Sequence, residues 1–505
     1  LLAVIRLVVV VYEEVFVWRG RYRDLRTLLR FSKTYQDWKS NAATLDALMS
    51  HDAWKTRNSS EQIYDPHLIR KTTRKLARGR RGGDVAELSR QLLNACKGNH
   101  GGYQNEALYS NSNVGTKVDV ERLQEEVAAS IRFLRNSPDV DADEKTAIFK
   151  TMSHNYGRTG LALSGGGSIT YYHFGVLKAL WKEGLLPDVI SGSSGGSLIA
   201  ALICTRTDQE MKDDCIFDPS VVHQILTIMA DPWIVRLKRF FNEGYLFHPA
   251  IPFKKLDNMT KGHLTFLEAY HKTGRILCIT VSPDEPNSTK PPKVLNYLTA
   301  PDVIISSAIC ASCALPGILP SGNLLSKTSD GRFVPFQGAG KKWRDGSIRH
   351  DIPDLNSLNV TFTIVSQVNF HITPFFFQNR GSAGSPVAHR GGRGWRGGFI
   401  LSALNEFLML DLMKWLRLCK SMRLIPPVGQ TDISEVFIQN TQFQGTVTIL
   451  PSVRFVPYDL IHVLEDPDEK MLQHYMARGE LETWPKIAMI RDRMRVERLL
   501  DPSIK

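Results

Sequence analysis

Cysteine is scarce in this 505-residue chain, which contains only seven, an odd number spread thinly along its length. So few cysteines argue against a disulfide framework and favour a reducing compartment. The lone C-x-x-C motif, Cys310 to Cys313, lacks the second ligand pair of a zinc site and the setting of a thioredoxin-like redox site. We therefore expect these two thiols to pack in the interior, and we predict no metal site.

Nucleic-acid-binding motifs are also missing: the chain has no C2H2 spacing, no RNP-like aromatic motif and no basic region followed by heptads. Its net charge of +12 and its pI near 9.3 suit an anionic partner, which can be a phospholipid surface as well as a nucleic acid. Charge alone does not separate the two. Because nucleic-acid binding has nothing else in its favour, we expect no nucleic-acid partner.

A long uncharged apolar run is absent as well. Residues 1–18 are strongly apolar, but they include Arg6, Glu13 and Glu14, and they are too short and too charged for a helix that spans a bilayer. An interfacial or hairpin-like contact, anchored by Trp18 and the arginines that follow it, suits this membrane-associating segment better. The alternative is a buried helix that packs on its own domain.

The hydrophobic pattern divides the rest of the chain into four parts. Residues 19–155 have the three- and four-residue apolar spacing of a helical N-terminal domain. Residues 159–374 alternate short apolar runs with helical stretches, which predicts an α/β domain with a mostly parallel sheet covered by helices. Residues 375–398 are rich in glycine and arginine and predict a mobile basic loop, either solvated or in contact with anionic lipid head groups. Residues 399–505 predict a helical C-terminal region that opens with an amphipathic helix.

One serine stands between a predicted strand and a predicted helix. The pentapeptide Gly192-Ser193-Ser194-Gly195-Gly196 fits the G-x-S-x-G pattern of a nucleophile elbow, in which small neighbours permit the sharp turn that exposes a serine hydroxyl. The spacing selects Ser194 rather than Ser193. The following helix directs its N-terminal dipole at the place where negative charge develops. We therefore predict Ser194 as a nucleophile held by Gly192, Gly195 and Gly196.

A triglycine loop lies between another predicted strand and helix. Gly165, Gly166 and Gly167 are followed by Ser168, an arrangement typical of a backbone loop that binds an anion. A dinucleotide-binding fingerprint would need a small residue at the sixth position, where this chain has Thr170. We therefore predict an oxyanion hole formed by the backbone N–H groups of Gly165, Gly166, Gly167 and Ser168.

A carboxylate follows on a glycine turn, Asp345-Gly346-Ser347, and a serine nucleophile needs a base. By itself an Asp-Gly pair usually marks only a turn. In this order, however, the triglycine loop, the serine pentapeptide and this aspartate resemble the three motifs of patatin-like phospholipases. The resemblance implies a three-layer α/β/α fold and a Ser-Asp dyad, in which Asp345 accepts the proton of Ser194 and no histidine takes part.

Further segments extend the resemblance from about residue 23 to 500 and narrow it to the fungal and plant patatin-domain triacylglycerol lipases with an N-terminal helical domain. They are residues 161–168, 171–176, 186–190, 311–317 and 366–369, with 35–38, 45–46, 52–55 and 115–117 in the helical domain. The resemblance implies a lipid acyl-ester substrate, triacylglycerol or phospholipid, no cofactor, and acyltransferase activity as a side reaction. It also implies membrane association at a cytoplasmic face, at a lipid droplet or the endoplasmic reticulum.

Two features depart from the family pattern, and two other functions stay open. Ile169 and Thr170 stand where many patatins have a basic residue and glycine, and Ser347 stands where glycine or alanine is commoner. One alternative is an α/β-hydrolase triad whose base is a histidine downstream of Asp345. The histidines available to it are His350, His371, His389, His462 and His474. The other alternative is a catalytically silent scaffold at a membrane surface.

Overall fold

The structure is a computed structural model. It describes residues 11–57, 63–226, 231–248, 250–284, 291–337, 341–347, 351–369, 381–387, 444–450 and 462–501, together with Val8 and separate positions between 403 and 422. None of the helices in these ranges combines the length and the apolar character that crossing a bilayer requires.

The N-terminal region is built from helices, as its apolar spacing predicts. A π-helical turn, Glu13–Val17, comes first. The α-helices that follow are α1 (Arg21–Phe31), α2 (Tyr35–Leu48), α3 (His51–Thr56), α4 (Pro66–Gly82), α5 (Val85–Ala95), α6 (Val118–Asn136) and α7 (Ala142–Tyr156). Thr34, Asp65 and Asp84 cap α2, α4 and α5, because their side chains accept N–H groups of the first turns. The apolar stripe of α6 is buried against α4 and α5.

The predicted membrane-associating segment is described at Val8 and from residue 11 onward. Val11 and Phe16 are exposed, whereas Trp18 is buried beneath the Arg26 guanidinium, which lies 3.9 Å from the indole ring. The end of the segment is therefore tied to α1, and its contact with a membrane stays a prediction.

A mostly parallel sheet forms the centre of the second part of the chain, which confirms the predicted fold class. The strands are β1 (Arg158–Leu163), β2 (Val189–Gly192), β3 (Ile276–Pro283), β4 (Lys293–Leu295), β5 (Leu325–Lys327), β6 (Phe333–Pro335), β7 (Trp343–Asp345), β8 (Val360–Ser366) and β9 (Val447–Ile449). Five of them run parallel in the order β3-β2-β1-β8-β9, whereas β4 and β7 pair with β3 in the antiparallel sense. β5 and β6 form a separate hairpin. Every residue of β2 and β3 is buried, as in parallel strands covered on both faces.

Helices flank the sheet. They are α8 (Tyr172–Lys182), α9 (Gly195–Cys204), α10 (Asp208–Asp213), α11 (Pro219–Leu226), α12 (Trp233–Glu243), α13 (Ala250–Met259), α14 (Phe266–Thr273), α15 (Ile305–Ser312), α16 (Glu469–Thr483) and α17 (Ile487–Leu500). α9 and α15 pack on β3, and α17 packs on β1. α16 approaches α8 so closely that a Cβ at Gly175 would lie 2.1 Å from the Met476 carbonyl oxygen. The C-terminal helices therefore belong to the same packed unit as the sheet.

The C-terminal region, predicted as helical for residues 399–505, contains the helices α16 and α17 and, in addition, one strand. Val447–Ile449 form β9, which adds a parallel strand beside β8. The run from Thr446 to Ile449 is β-branched throughout, a composition that favours strands over helices. The sheet therefore extends beyond the predicted domain boundary at residue 374.

Part of the predicted mobile loop, residues 375–398, is buried. Within 381–387, Ala383 is fully buried and Val387 is nearly so. The buried ammonium of Lys486 donates a hydrogen bond to the Ala383 carbonyl oxygen at 2.7 Å. Because a buried charge needs hydrogen-bond partners, Lys486 holds Ala383 in the interior, where it is neither solvated nor in contact with lipid head groups. The remainder of the predicted loop lies outside the described residues.

Candidate active site

Ser194 follows β2 and precedes α9, at the edge of the sheet where the parallel strands end and where ligands of such sheets bind. Its backbone has a φ of 49° and a ψ of −128°. A positive φ is strained for a residue other than glycine and is typical of a nucleophile elbow. The strand, turn and helix predicted around Ser194 are therefore present. Ser194 is buried, with 6% of its surface exposed.

Close backbone packing explains the three glycines of the elbow. A Cβ at Gly192 would lie 2.4 Å from the Gly196 carbonyl oxygen, and one at Gly196 would lie 2.5 Å from the Leu163 carbonyl oxygen. At Gly195 a Cβ would come within 2.8 Å of the Thr170 side chain. The elbow thus rests directly on the end of β1 and on the glycine loop, with no room for side chains.

Asp345 reaches the site on β7. This strand pairs with β3 so that Asp345 lies opposite Val281. The Asp345 N–H donates to the Ala314 carbonyl oxygen at 3.1 Å. The next residue, Gly346, packs against Thr280, where a Cβ would lie 2.7 Å from the carbonyl oxygen. The Asp-Gly turn is therefore part of the sheet edge rather than an exposed connection.

Ser312, at the end of α15, ties the elbow to β3. Its Oγ accepts the Ser194 N–H at 2.9 Å and donates to the Thr280 carbonyl oxygen at 2.8 Å. The sequence places Ser312 in a segment that resembles the family but assigns it no role. In the structure it fixes the backbone of the predicted nucleophile.

Burial dominates the electrostatics of Asp345, which is 1% exposed, and raises the pKa of its carboxyl to about 6. Hydrogen bonding from Ser347 and from the Ser194 hydroxyl acts in the opposite direction and lowers this pKa. Oδ1 accepts the Ser347 N–H at 2.7 Å, whereas Oδ2 has no partner of normal geometry among the described residues. The serine hydroxyl is thus near the carboxyl without a fixed bond to it, and one buried oxygen is available to accept a proton.

Two of the four predicted oxyanion donors are engaged within the fold. The Gly165 N–H donates to Asp351 Oδ1 at 2.8 Å. The Ser168 N–H donates to the Val463 carbonyl oxygen, also at 2.8 Å. Since an N–H that serves a buried acceptor is not available to a substrate oxygen, these two positions hold the loop in place.

The N–H groups of Gly166 and Gly167 are different, because no acceptor among the described residues binds them. Gly167 has a φ of 58°, and a Cβ there would collide with the backbone of the C-terminal segment. The Gly195 N–H, in the first turn of α9, also lacks such an acceptor, as expected at a helix N-terminus. A Cβ at Gly165 would lie 3.1 Å from the Ser194 Cβ, so loop and serine adjoin. The candidate oxyanion donors are therefore Gly166, Gly167 and, in addition to the prediction, Gly195.

Asp351 is a second buried carboxyl at the site, and none of the sequence motifs singles it out. Its Oδ1 binds Gly165, its Oδ2 accepts the Asn369 side-chain amide at 2.6 Å, and its carbonyl oxygen accepts the Ser193 hydroxyl at 2.6 Å. Burial raises its pKa to about 7, and the negative charge of Asp345 acts in the same direction. Asp351 therefore joins the glycine loop, the elbow and the segment after β8.

The histidines of the alternative triad are only partly described: His350, His371 and His389 lie outside the described residues. Among the others, His462 lies 3.5 Å from the Glu465 carboxylate. His474 packs against the ring of Tyr475. These contacts give neither side chain an orientation toward Ser194.

His173, a histidine of α8 that the sequence does not single out, contacts Ser164, the residue that precedes the glycine loop. Its Nε2–H donates to the Ser164 carbonyl oxygen at 2.9 Å, and its Nδ1 accepts the Ser366 hydroxyl at 2.7 Å. Burial lowers its pKa to about 4, so the ring is neutral at physiological pH. With both ring nitrogens engaged, His173 supports the loop and is not placed to act on Ser194.

All seven cysteines are free. Burial raises the pKa of Cys310 to about 12 and also raises that of Cys313, as expected of thiols that pack in the interior. Within the described ranges, no three or more His, Cys, Asp and Glu side chains are grouped in a way that could hold a metal ion.

Comparison with known families matches both parts of the chain. Residues 161–353 match the family described as "Patatin-like phospholipase", and residues 15–154 match "Domain of unknown function (DUF3336)". A "Patatin-like phospholipase domain-containing protein" of Pyricularia oryzae is 42% identical over 98% of this chain and 65% of its own length. The "Triacylglycerol lipase ptl2" of Schizosaccharomyces pombe is 42% identical over 98% of this chain and 78% of its own length. The crystal structure of VipD from Legionella pneumophila aligns over 63% of this chain and 67% of that chain, at 13% identity and a TM-score of 0.27.

The chain spans a little under two thirds of the Pyricularia relative and 56% of a similar protein from Cryptococcus neoformans. Identity above 40% nevertheless extends over almost all of this chain, and the matched range 161–353 contains both Ser194 and Asp345. The chain belongs to the patatin-like phospholipase family.

Proposed function

We propose that this chain is a lipid acyl-ester hydrolase in which Ser194 is the nucleophile and Asp345 is the proton acceptor. One observation carries the proposal: a serine on a strained elbow adjoins a buried carboxyl whose Oδ2 is not otherwise engaged among the described residues. Membership of the patatin-like phospholipase family supports the reaction class. The dyad itself is our inference from the geometry and from the resemblance of the motifs.

In the proposed reaction, the Ser194 oxygen attacks the ester carbonyl carbon while its proton passes to Asp345 Oδ2. A pKa of about 6 leaves this carboxyl mostly ionised at neutral pH yet basic enough to receive a proton. Backbone N–H groups of Gly166, Gly167 and Gly195 donate to the oxyanion of the tetrahedral intermediate. Asp345 then passes the proton to the departing alcohol. A water molecule, deprotonated in turn by Asp345, releases the fatty acid and restores the serine hydroxyl.

The substrate we propose is triacylglycerol, with phospholipid as the second choice. The name of the Schizosaccharomyces relative, a triacylglycerol lipase, supports the first, and the family description supports the second. We further propose that the enzyme works on the cytoplasmic face of a membrane or a lipid droplet, with acyltransfer as a side activity. The net charge of +12 supports this location, because anionic lipid surfaces attract basic proteins.

A fluorophosphonate probe tests the nucleophile. The unmodified chain should be labelled on Ser194, and Ser194→Ala should lose labelling together with hydrolysis of a soluble short-chain ester. Asp345→Asn should lower kcat by about a thousandfold or more, because the serine then lacks its proton acceptor. Parallel assays on triacylglycerol emulsion and phospholipid vesicles would rank the substrates. A folded chain that is not labelled would support the silent scaffold instead.

The triad alternative is tested with the same soluble ester. Separate substitutions at His350, His371, His389, His462 and His474 to alanine should each retain most of the activity. A loss in any one of them comparable to that of Ser194→Ala would refute the dyad.

A further inference from the structure

One helix beside the site has its polarity reversed. In α12, Ile234, Leu237 and Phe241 form a stripe along one face, and they are 81%, 47% and 82% exposed. Arg236, by contrast, is only 4% exposed. An ordinary surface helix turns its apolar stripe inward and its charges outward, so α12 presents to its surroundings the side chains that water solvates least.

Polar contacts with the C-terminal segment fix this orientation. Arg236 Nη1 donates to the Leu464 carbonyl oxygen at 2.8 Å, and Trp233 Nε1 donates to Glu465 Oε1 at 2.6 Å. Rotating the helix to bury its apolar stripe would break both hydrogen bonds, and no new hydrogen bonds would replace them. The outward stripe is therefore a stable feature of the fold.

The helix is also joined to both halves of the site. Val463 precedes Leu464, the hydrogen-bond partner of Arg236. The Val463 carbonyl oxygen accepts the Ser168 N–H of the glycine loop. After α12, the Phe247 N–H donates to the Ile318 carbonyl oxygen at 3.0 Å, and the segment that ends at Ile318 also holds the backbone of Asp345. The exposed stripe thus lies on an element that contacts the supports of both the oxyanion loop and the predicted base.

We propose that this stripe of Ile234, Leu237 and Phe241 docks the enzyme on a phospholipid-coated lipid surface. The proposal rests on the hydrolase function proposed above, since a water-insoluble ester must be reached at such a surface. Lys238 lies one turn after Ile234 on the same exposed face, where its ammonium can reach head-group phosphates while its stem follows the apolar side chains. Lys238 is the exposed basic residue of α12, because Arg236 is buried and Arg239 pairs with Asp231 at 2.9 Å.

The size of the stripe favours a lipid surface over a protein partner. A helix of 11 residues is about 16 Å long and about 10 Å wide, so one face covers on the order of 200 Å². A stable complex with a second copy needs about 800 Å² from each partner. A lipid surface needs no matching shape, and a few inserted side chains contribute in proportion to the apolar area they bury.

The first test compares binding to phosphatidylcholine vesicles, to vesicles with added phosphatidylserine, and to a triolein emulsion coated with phosphatidylcholine. The double variant Ile234→Asn/Phe241→Asn should bind each about a hundredfold more weakly, about tenfold for each side chain. Lys238→Gln should weaken binding about fivefold, and only where phosphatidylserine is present. The matched control is Leu298→Asn, which replaces another large exposed side chain, 60% exposed and outside α12, and should bind as the parent does.

Two readouts separate this proposal from the hydrolase proposal. Labelling of Ser194 and hydrolysis of a soluble ester should be equal in parent and double variant, whereas hydrolysis of the emulsion should fall with binding. If the parent neither labels nor cleaves the soluble ester, the hydrolase proposal fails, and the vesicle measurements still test the surface. If the double variant binds lipid as the parent does, or instead loses only self-association, the docking surface is refuted.

A second measurement on the unmodified chain does not depend on how the variants fold. Hydrogen exchange should slow in residues 233–243 when the protein binds vesicles, and it should not change around Leu298. Equal exchange of 233–243 in free and vesicle-bound protein would overturn the proposal.

Discussion

The variant Asp345→Asn should melt at a higher temperature than the parent at neutral and alkaline pH, although it removes the proposed base. Burial raises the pKa of this carboxyl from 3.8 to about 6. Ionising it in the folded chain therefore lowers the free energy of unfolding by about 3 kcal/mol. Asparagine carries no charge and keeps an oxygen for the Ser347 N–H. Its side-chain NH2 group takes the place of Oδ2, which has no partner of normal geometry among the described residues. Leaving this buried NH2 group without an acceptor costs about 1–3 kcal/mol. We expect a net gain of about 1 kcal/mol, or about 2 °C in Tm.

The gain should depend on pH in one direction. Below pH 3.8 the carboxyl is protonated in both the folded and the unfolded chain, so burial costs nothing through ionisation. As the pH rises above 3.8, the unfolded chain gives up its proton first, and the parent loses stability until the folded carboxyl is ionised as well, at about pH 6. The difference in Tm between Asp345→Asn and the parent should therefore grow between pH 3.8 and about pH 6 and stay constant at higher pH.

Scanning calorimetry at each pH measures this difference. Ser194→Ala is the matched control, because it also abolishes the reaction but leaves the carboxyl in place. Its Tm should fall with pH as that of the parent does, and slightly more steeply, because the Ser194 hydroxyl, which this variant lacks, lowers the pKa of Asp345. A lower Tm for Asp345→Asn at alkaline pH, or a difference that shrinks as the pH rises, would show that burial does not dominate the energetics of this carboxyl.

Hydrolysis of a soluble ester should rise with pH through about 6, because only the carboxylate form of Asp345 accepts a proton; a rate that is flat across that range would exclude this role. Asp351→Asn should leave the acid limb of the profile near pH 6, since burial raises the pKa of Asp351 to about 7 and this carboxyl is mostly uncharged there. A shift of the acid limb to lower pH would show that Asp351 is already charged there. Gly195→Ala places a Cβ 2.8 Å from Thr170 and should lower kcat about a hundredfold by displacing the loop, with a far-UV spectrum like that of the parent. An unchanged kcat would mean that the loop tolerates the displacement. A chain that ends at residue 374 lacks β9 and α16, and it should not be labelled by a fluorophosphonate; labelling at the parent's rate would show that the shorter unit is complete.

The elbow could be predicted from the sequence because its requirements are local. Gly192, Gly195 and Gly196 stand within two residues of Ser194. At each of them a Cβ would collide with backbone or side-chain atoms that the elbow touches directly. Strand, turn and helix signals follow one another without interruption. A short motif with the right flanks is therefore enough to place the serine and the fold around it.

The partners of the serine depend on contacts that no short segment shows. Asp345 reaches the site because β7 pairs with β3, and its sequence signal alone is that of a turn. Only the resemblance to a family selected it. The sequence assigns no role to Ser312 or Asp351. A serine or an aspartate becomes a structural anchor only where burial removes water and N–H groups from distant parts of the chain take its place. Position 351 acquires its raised pKa from the same burial.

The oxyanion prediction was too broad for a related reason, since the availability of an N–H is a tertiary property. The Ser168 N–H is occupied by Val463, far along the chain in a region predicted only as helical. The residues next to Val463, Leu464 and Glu465, bind α12 through Arg236 and Trp233. One short C-terminal segment thus separates the proposed lipid-docking helix from the glycine loop. Movement of α12 on lipid would therefore act on the glycine loop through residues 463–465, which bind both.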